Sequence, residues 1–348
     1  MNYCTKCVAP STKPNLTFDD EGVCSACRNH EKKKNIAWDR RWQLLDQLVR
    51  ANRIMGGSIK YDILIPVSGG KDSIAQVYYA VEKLNLKVLA VSVDYGIKTE
   101  IGKYNLNLIP NIGCDLVIFK PNQKVHKRLV KQAFLETGTP DSINHPLLYC
   151  YPIHLAEELN VPLVMFGENP AFEYTGDSSF KLFQSIDQKW YGEYISYNND
   201  FLLKIKSQYF IGDVKYYFLP SRTKTRTLFL SDYIFWDSES NLKVANQYGF
   251  NSLDRRTGTY RGYSGIDEQF HYLHQRIKFL KFGYGRATDH ACEDIRNNRL
   301  DRKEAQELVE QYDGEQPDKQ IIDNFCEYID ITYDEFWKVM KDKNRSIV

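Results

Sequence analysis

Ser68-Gly69-Gly70-Lys71-Asp72-Ser73 is the strongest chemical signal in the chain. Two adjacent glycines let the backbone approach a polyanion, and successive N–H groups of such a turn point inward. A helix beginning near Ser73 adds the partial positive charge of its N-terminus. Ser68, Lys71 and Ser73 bring side-chain donors, and Val67 joins the loop to the apolar run before it. Such a loop suits phosphate. It lacks the four residues that separate the first Gly from Gly-Lys-Ser/Thr in a Walker loop, and it is not a GxGxxG dinucleotide turn. The bland alternative is a Gly-Gly turn with Ser and Asp as helix caps. Its position between a strand and a helix argues against that.

Cys4-x2-Cys7 and Cys24-x2-Cys27 stand sixteen residues apart, with Pro10, Pro14 and Asp19-Asp20-Glu21-Gly22 between them. The spacing suits tetrahedral zinc held by four thiolates, in a knuckle and not a helix. The segment has too few large apolar residues to fold around its own core, and bound zinc would supply ~10–16 kcal/mol of apparent stability. With all four positions filled, such a site is structural. A redox role is the weaker reading, because neither pair sits at a strand-to-helix junction. Cys114, Cys150, Cys292 and Cys326 are scattered singly and read as buried small apolar residues.

These groups need elements to position them. From Tyr61, short β-rich runs at 62–67, 88–93, 116–119 and 161–166 alternate with helical stretches at 74–84, 100–109, 125–134 and 152–159. Strands apolar on both faces and separated by helices predict a doubly wound, mostly parallel α/β sheet. The expected organisation is a zinc knuckle over 1–30, a linker helix over 31–57, ending before Gly56-Gly57, and the α/β core over 58–170. An insertion of short helices and strands over 171–265 and a C-terminal helical region over 266–348 follow. Helix starts are expected at Asp301, with Glu304 three later, and at Thr332, with Glu335.

In that fold, ligands bind beyond the carboxyl ends of the strands. Val93 and Asp94 close the second strand there, and Gly167-Glu168-Asn169-Pro170 follows the fourth. Glu168 and Asn169 are candidates to hold magnesium, orient ammonia or bind an acceptor; a loop of turn-formers is the alternative. Asp94 is a ligand candidate at that edge or a plain strand-end turn residue. Arg286, Thr288, Asp289 and His290 lie in a Gly-rich turn that opens a helix, a place for an acidic sugar or phosphate. Equally, Thr288 or Asp289 caps the helix and Arg286 makes a surface ion pair. Arg222, Lys224 and Arg226 read as a solvated face in preference to one turned toward a diphosphate, and His271 and His274 as packing or surface residues.

The 46 basic and 45 acidic side chains among 348 residues give no polyanion-binding excess, so nucleic acid is not the default ligand. No run reaches the ~20 apolar residues of a membrane span, and a cytoplasmic location is expected. The 24 tyrosines and 18 phenylalanines suit aromatic clefts or packing at the interface of a homo-oligomer.

The loop resembles the PP-loop (SGGxDS) of the N-type ATP pyrophosphatases. That resemblance implies that Ser68–Ser73 hold departing pyrophosphate with Mg²⁺, while a substrate oxygen takes AMP. The whole chain resembles the N-acetyl sugar amidotransferases of surface-polysaccharide and flagellin-glycan pathways, the WbpG/PseA type. The resemblance is carried by the cysteine knuckle, the loop, Gly167–Pro170, Phe229-Leu-Ser-Asp-Tyr233, Lys281-Phe-Gly-Tyr-Gly-Arg-Ala-Thr-Asp-His290 and Asp294-Ile-Arg296. It implies ATP-dependent conversion of an acetamido group, on a nucleotide-linked or nonulosonic sugar, to an acetamidino group. ATP, Mg²⁺ and structural Zn²⁺ are the implied cofactors, with Lys71, Asp72, Glu168 and Asn169 as catalytic candidates. Val67, Ser68, Gly69, Gly70, Ser73, Val93, Asp94 and Gly167 are the further ATP-site candidates.

The chain shows no glutaminase signature: Asn2 follows Met1, and Cys114 lacks a Gly-x-Cys-x-Gly elbow. The resemblance therefore implies ammonia from a separate glutaminase, like that of the histidine pathway, with a cyclase-like companion. A tRNA-modifying thiolase or ligase of the same superfamily is the rival reading. It wants a basic face and catalytic cysteines, against which the near-neutral charge weighs.

Overall fold

The computed structural model describes residues 1–55, 60–175, 185–195 and 199–343; Gly56-Gly57, where the linker helix was expected to stop, lie outside the described residues. Strands β1 (Ile63–Pro66), β2 (Val88–Val93), β3 (Asp115–Phe119), β4 (Leu163–Phe166) and β5 (Arg226–Phe229) form one sheet in the order β3-β2-β1-β4-β5. Every neighbouring pair is parallel. The central strands are apolar on both faces, which demands cover on both. Leu64, Leu89, Val91 and Val164 pack with Leu129 and Phe134 of α5 (Gln123–Thr137) and Leu147 of α6 (Asp141–Glu158). The alternate residues Ile63, Ile65, Ala90 and Met165 pack with Leu45 of α2 (Trp38–Met55) and with Ile74 and Val77 of α3 (Lys71–Tyr78). This is the doubly wound sheet that the alternation predicts.

The details differ in instructive ways. β3 is an edge strand, with Val117 and Ile118 38% and 45% exposed, so cover on both faces stops short of it. β5 lies within the region expected to hold short, unplaced elements. Helix α6 runs through Pro146 and Pro152, although a helix had been expected only from Pro152. Interior proline costs about 3 kcal/mol, and the burial of Ile143, Leu147, Ile153 and Ala156 outweighs it. α3 starts at Lys71, earlier than expected, and continues as one π turn over Tyr79–Lys83. The second cysteine pair opens a helix, α1 (Ser25–Lys33), where a knuckle without one was expected. α4 (Glu100–Asn107) follows β2, with Thr99 capping it.

Between β4 and the C-terminal region run α7 (Gln188–Tyr194), α8 (Asn199–Gln208), α9 (Ile211–Val214) and, after β5, α10 (Ser238–Gln247). Then come α11 (His271–Phe282), α12 (Arg286–Arg296), α13 (Arg302–Tyr312), α14 (Lys319–Ile329) and α15 (Tyr333–Lys343). Asp301 and Glu304 form the expected capping box on α13, and Thr332 and Glu335 bond reciprocally before α15. Phe325 and Phe336 of α14 and α15 extend the core beside α5. Among the described residues no helix is long and apolar enough to cross a membrane.

Candidate functional site

Cys4, Cys7, Cys24 and Cys27 are buried, and their sulfurs all lie within 4.8 Å of one another. Sγ of Cys4 and Cys27 are 4.0 Å apart, and those of Cys7 and Cys24 3.8 Å. Zn–S bonds of ~2.3 Å in a tetrahedron require an S···S edge of about 3.8 Å, so the donor set fits zinc. Backbone N–H groups of Lys6, Cys7 and Cys24 donate to Cys4 Sγ at 3.2–3.4 Å, as suits a thiolate. Hydrogen bonding from Cys24, Cys27 and Cys7 holds the Cys4 thiol far below its usual range. Cys27 is pushed far above its own by its cysteine neighbours and burial. A bound dication would remove that conflict. Cys292 of α12 packs against this cluster together with Ala291, and Ala305 of α13 closes it.

The phosphate loop joins β1 to α3. Gly69 has φ +96°, and a Cβ there would lie 2.5 Å from the Gly102 carbonyl oxygen, so both conformation and space require glycine. Ser68 N–H donates to Ser73 Oγ at 2.9 Å, and Gly70 N–H to Ser68 Oγ at 3.2 Å. Lys98 Nζ, buried, donates to the Ser68 carbonyl at 3.1 Å. No side chain caps α3 at Gly70, which leaves its N-terminal N–H groups for an anion. Lys71 Nζ lies 2.6 Å from Asp72 Oδ2 and 5.2 Å from the centre of the Tyr263 ring. Asn241 of α10 donates to Asp72 Oδ1 at 2.8 Å.

The loop floors a cleft of about 430 Å³. Val67, Val91, Val93, Phe166 and Tyr149 give it an apolar end, Tyr149 stacking on Phe166 at 4.9 Å. α1 contributes Asn29, His30 and Lys33, so the helix that follows the cysteine centre also walls the cleft. α12 also lines it, with Arg286, Asp289, His290, Glu293 and Arg296. Asp313 anchors the start of this helix, accepting from Gly285 N–H at 2.6 Å and Thr288 Oγ1 at 2.5 Å.

Charge in the cleft is strongly organised. Glu168 is pushed up by burial and by the Asp72 carboxylate, and accepts from Tyr174 Oη at 3.0 Å. Asp289 sits between Lys13 at 2.8 Å and Lys278 at 2.6 Å. Burial would raise its pKa, but these two cations and Arg286 hold it far below the carboxylate range. Arg261, 4% exposed, reaches Glu293 and Asp294, each at 2.7 Å. His290 is kept neutral by burial and by Arg286 and Arg261. Its Nδ1 meets Thr259 Oγ1 at 2.6 Å.

The structure thus brings Val67, Ser68, Gly70, Lys71, Asp72, Ser73, Val93, Gly167, Glu168, Arg286, Asp289 and His290 to one cleft. It places three others elsewhere. Asn169, expected to face the crevice, is fully buried; its amide donates to Asp232 at 3.2 Å and its N–H to Ser231 at 2.9 Å, tying the loop to the turn after β5. Thr288 is spent on Asp313. Asp94 accepts from Gly96 N–H at 2.8 Å and pairs with Lys120 at 3.5 Å, the strand-end turn role. Conversely His271, read as packing or surface, lines the cleft. Lys33, Lys98, Arg261, Glu268 and Glu293, which no local sequence motif marks, line the cleft too. Arg222, Lys224 and Arg226 are exposed.

Residues 257–347 match the family model described as LPS biosynthesis protein WbpG-like, C-terminal domain. No curated protein matches the chain. Among solved structures, NMN synthetase from Francisella tularensis is similar at 12% identity and a TM-score of 0.38, over 86% of this chain and 96% of that one. U34-tRNA thiolase NcsA from Methanococcus maripaludis, with its 4Fe-4S cluster, is similar at 13% identity and a TM-score of 0.36, over 99% and 87%. The segment that matches the WbpG-like C-terminal domain contains Arg261 and the whole of α12, and so contributes to the lining of the cleft.

Proposed function

We propose that the chain is an ATP-dependent, AMP-forming amidotransferase that turns the acetamido group of an N-acetylated sugar into an acetamidino group. One observation carries this reading: the segment matched to the WbpG-like C-terminal domain walls the same cleft that the phosphate loop floors. A loop for polyphosphate and a domain of a lipopolysaccharide-biosynthesis protein then act on one bound pair of substrates.

An amide oxygen is a very poor leaving group, so ammonia cannot displace it directly. Attack of that oxygen on the α-phosphate of ATP makes it a phosphate ester, after which ammonia adds to the carbon and AMP departs. The developing charge is on phosphate, so positioning and electrostatics carry the catalysis. Lys71, the loop N–H groups and the start of α3 face the departing pyrophosphate. Val91, Val93, Tyr149 and Phe166 suit a nucleobase. Asp72 and Glu168 are the carboxylates suited to Mg²⁺, since the charge of one already raises the pKa of the other. Bound there, the ion would neutralise polyphosphate charge. Arg286, whose buried Nε has no partner among the described residues, suits an anionic group of the sugar. Ammonia would come from a separate glutaminase and its cyclase-like companion.

The test is an ammonia-driven reaction of the purified chain with ATP, Mg²⁺ and a panel of N-acetylated sugars. AMP is quantified against ADP, and the product is weighed for replacement of oxygen by NH. Sugar-dependent AMP with the amidine mass is expected. AMP formation stimulated by tRNA and indifferent to sugars would instead assign the cleft to a tRNA-modifying thiolase or ligase.

A further inference from the structure

The cysteine centre reaches the cleft through one face of α1. Cys24 is the N-cap residue of this helix and Cys27 lies in its first turn, so ligation of a metal fixes where the helix starts and how it is rotated. From that start Ser25, Asn29 and Lys33 recur at every fourth residue and share a face. All three are buried, and all three bond to one short segment, the π turn Ala171–Thr175 beyond β4. Ser25 Oγ donates to the Thr175 carbonyl, and Asn29 Nδ2 to the Phe172 carbonyl at 2.8 Å. Lys33 Nζ donates to both carboxylate oxygens of Glu173, at 2.7 and 2.8 Å. Apolar side chains would fill the same volume without desolvating an ammonium and a carboxylate, so these bonds matter for where they hold the turn.

The turn carries Tyr174, whose Oη donates to Glu168 Oε1 at 3.0 Å, and both residues line the cleft beside Asp72. Its start is set by the Asn169 carbonyl, which accepts from Phe172 and Glu173 N–H at 3.1 and 2.8 Å. The rest is set by α1. The knuckle is itself anchored on the C-terminal helices: Arg302 of α13 donates to the carbonyls of Cys4 and Cys7, each at 3.4 Å, and Lys13 pairs with Asp289 of α12. The cysteine centre thus joins those helices to the turn that holds the Glu168 carboxylate.

We propose that Ser25, Asn29 and Lys33 are positioning residues: with zinc in the cysteine centre, α1 fixes the 171–175 turn so that Tyr174 keeps Glu168 aimed into the cleft. The proposal rests on the reading above of Glu168 as a carboxylate for Mg²⁺. The centre then acts on the cleft at a distance, through a helix and a turn, although none of its sulfurs need touch a substrate.

The test uses the full-length, zinc-loaded protein with Asn29→Ala and with the pair Lys33→Met and Glu173→Leu, which removes the tie without stranding a buried charge. Deuterium uptake, read by mass spectrometry, reports the turn directly. Amides 171–175 should exchange about fivefold faster in Asn29→Ala, the scale of one lost hydrogen bond, while β1 and β4 keep wild-type protection and zinc content is unchanged. Removing zinc from the wild-type protein with a chelator should speed the same amides; the variant, which keeps its zinc, decides the matter apart from any wider unfolding that chelation causes. In the paired variant the Mg²⁺ needed for half-maximal, sugar-dependent exchange of labelled pyrophosphate into ATP should rise roughly 10-fold, below the ~10²-fold that a misplacement of about 1 Å can cost. Half-saturation by ATP at saturating Mg²⁺ should stay at the wild-type value, which a general loss of structure would not allow. Unchanged uptake at 171–175 in Asn29→Ala, or a Mg²⁺ requirement that does not move in the paired variant, overturns the assignment. If the wild-type protein shows no sugar-dependent pyrophosphate exchange, the amidotransferase reading falls and the role given to Glu168 with it, while deuterium uptake still decides whether α1 holds the turn.

Discussion

Replacing Arg261 with Met tests whether buried charge holds α12 against the segment that carries Arg261. Arg261 is 4% exposed and bonds to Glu293 and Asp294, each at 2.7 Å. Asp294 keeps Arg299 and Tyr260 in the variant, whereas Glu293 keeps only Ser238 and a longer contact to Arg299 at 3.6 Å. Burial pushes the Glu293 pKa up, but Arg261 above all, with Lys71 and Ser238, draws it down from 4.5 to about 2. At ~1.4 kcal/mol per pH unit, that is about 3 kcal/mol, in keeping with the ~3–5 kcal/mol lost when one partner of a buried pair is removed. Unfolding entropy of ~2.1 cal/mol/K per residue over 348 residues gives about 0.7 kcal/mol/K, so Tm should fall by about 4 °C at pH 7. Because the folded pKa is depressed, the stabilisation is full above the ordinary glutamate pKa and disappears as pH falls through about 2. Calorimetry at pH 7 and pH 3, with Glu293→Gln and the double variant, should show the gap more than halved at pH 3. A gap below 1 °C at pH 7, or one equal at both pH values, would refute the reasoning.

Gly69→Ala should cut AMP formation by about 10²-fold, because its Cβ would collide with the Gly102 carbonyl and displace the loop; an unchanged kcat/KM for ATP counts against the phosphate role. Cys24→Ser should lower bound zinc, read by elemental analysis, and lower Tm with it; a full zinc complement in the variant refutes four-thiolate ligation. Asp232 is raised to about 7 by burial, so its ionisation penalises the fold increasingly from pH 4 upward. Asp232→Asn should therefore gain stability relative to wild type at pH 8 and not at pH 4, measured by denaturant titration.

The sheet was legible because β1, β2 and β4 are short apolar runs with helical stretches between them, a pattern few other arrangements satisfy. β5 was not, since Arg226-Thr-Leu-Phe229 is four residues long and gains its identity only by pairing with β4. The loop from Ser68 to Ser73 could be found from local sequence because a turn shaped by its own backbone and adjacent glycines is a local device. The direction in which Asn169 turns could not, because Ser231 and Asp232 lie some sixty residues downstream. That His271 also lines the cleft could not be read locally either. Its helical spacing to His274 is visible, but the segment before it, 264–270, is fixed by contacts with residues 97–102. Arg261 and Glu293 are ordinary charged residues in sequence and become a buried pair only when α12 is in place.

The order in which the cleft's walls occur along the chain has a consequence for how the protein is made. The sheet is complete at Phe229, with the phosphate loop already in place, yet the last carboxylate lining the cleft is Glu293. At ~5–20 residues per second, a ribosome takes about 3–13 s to cover that stretch. During that interval the nascent chain carries the sheet and the glycine loop without the lining that α12 supplies, so the cleft is completed only when α12 has been made.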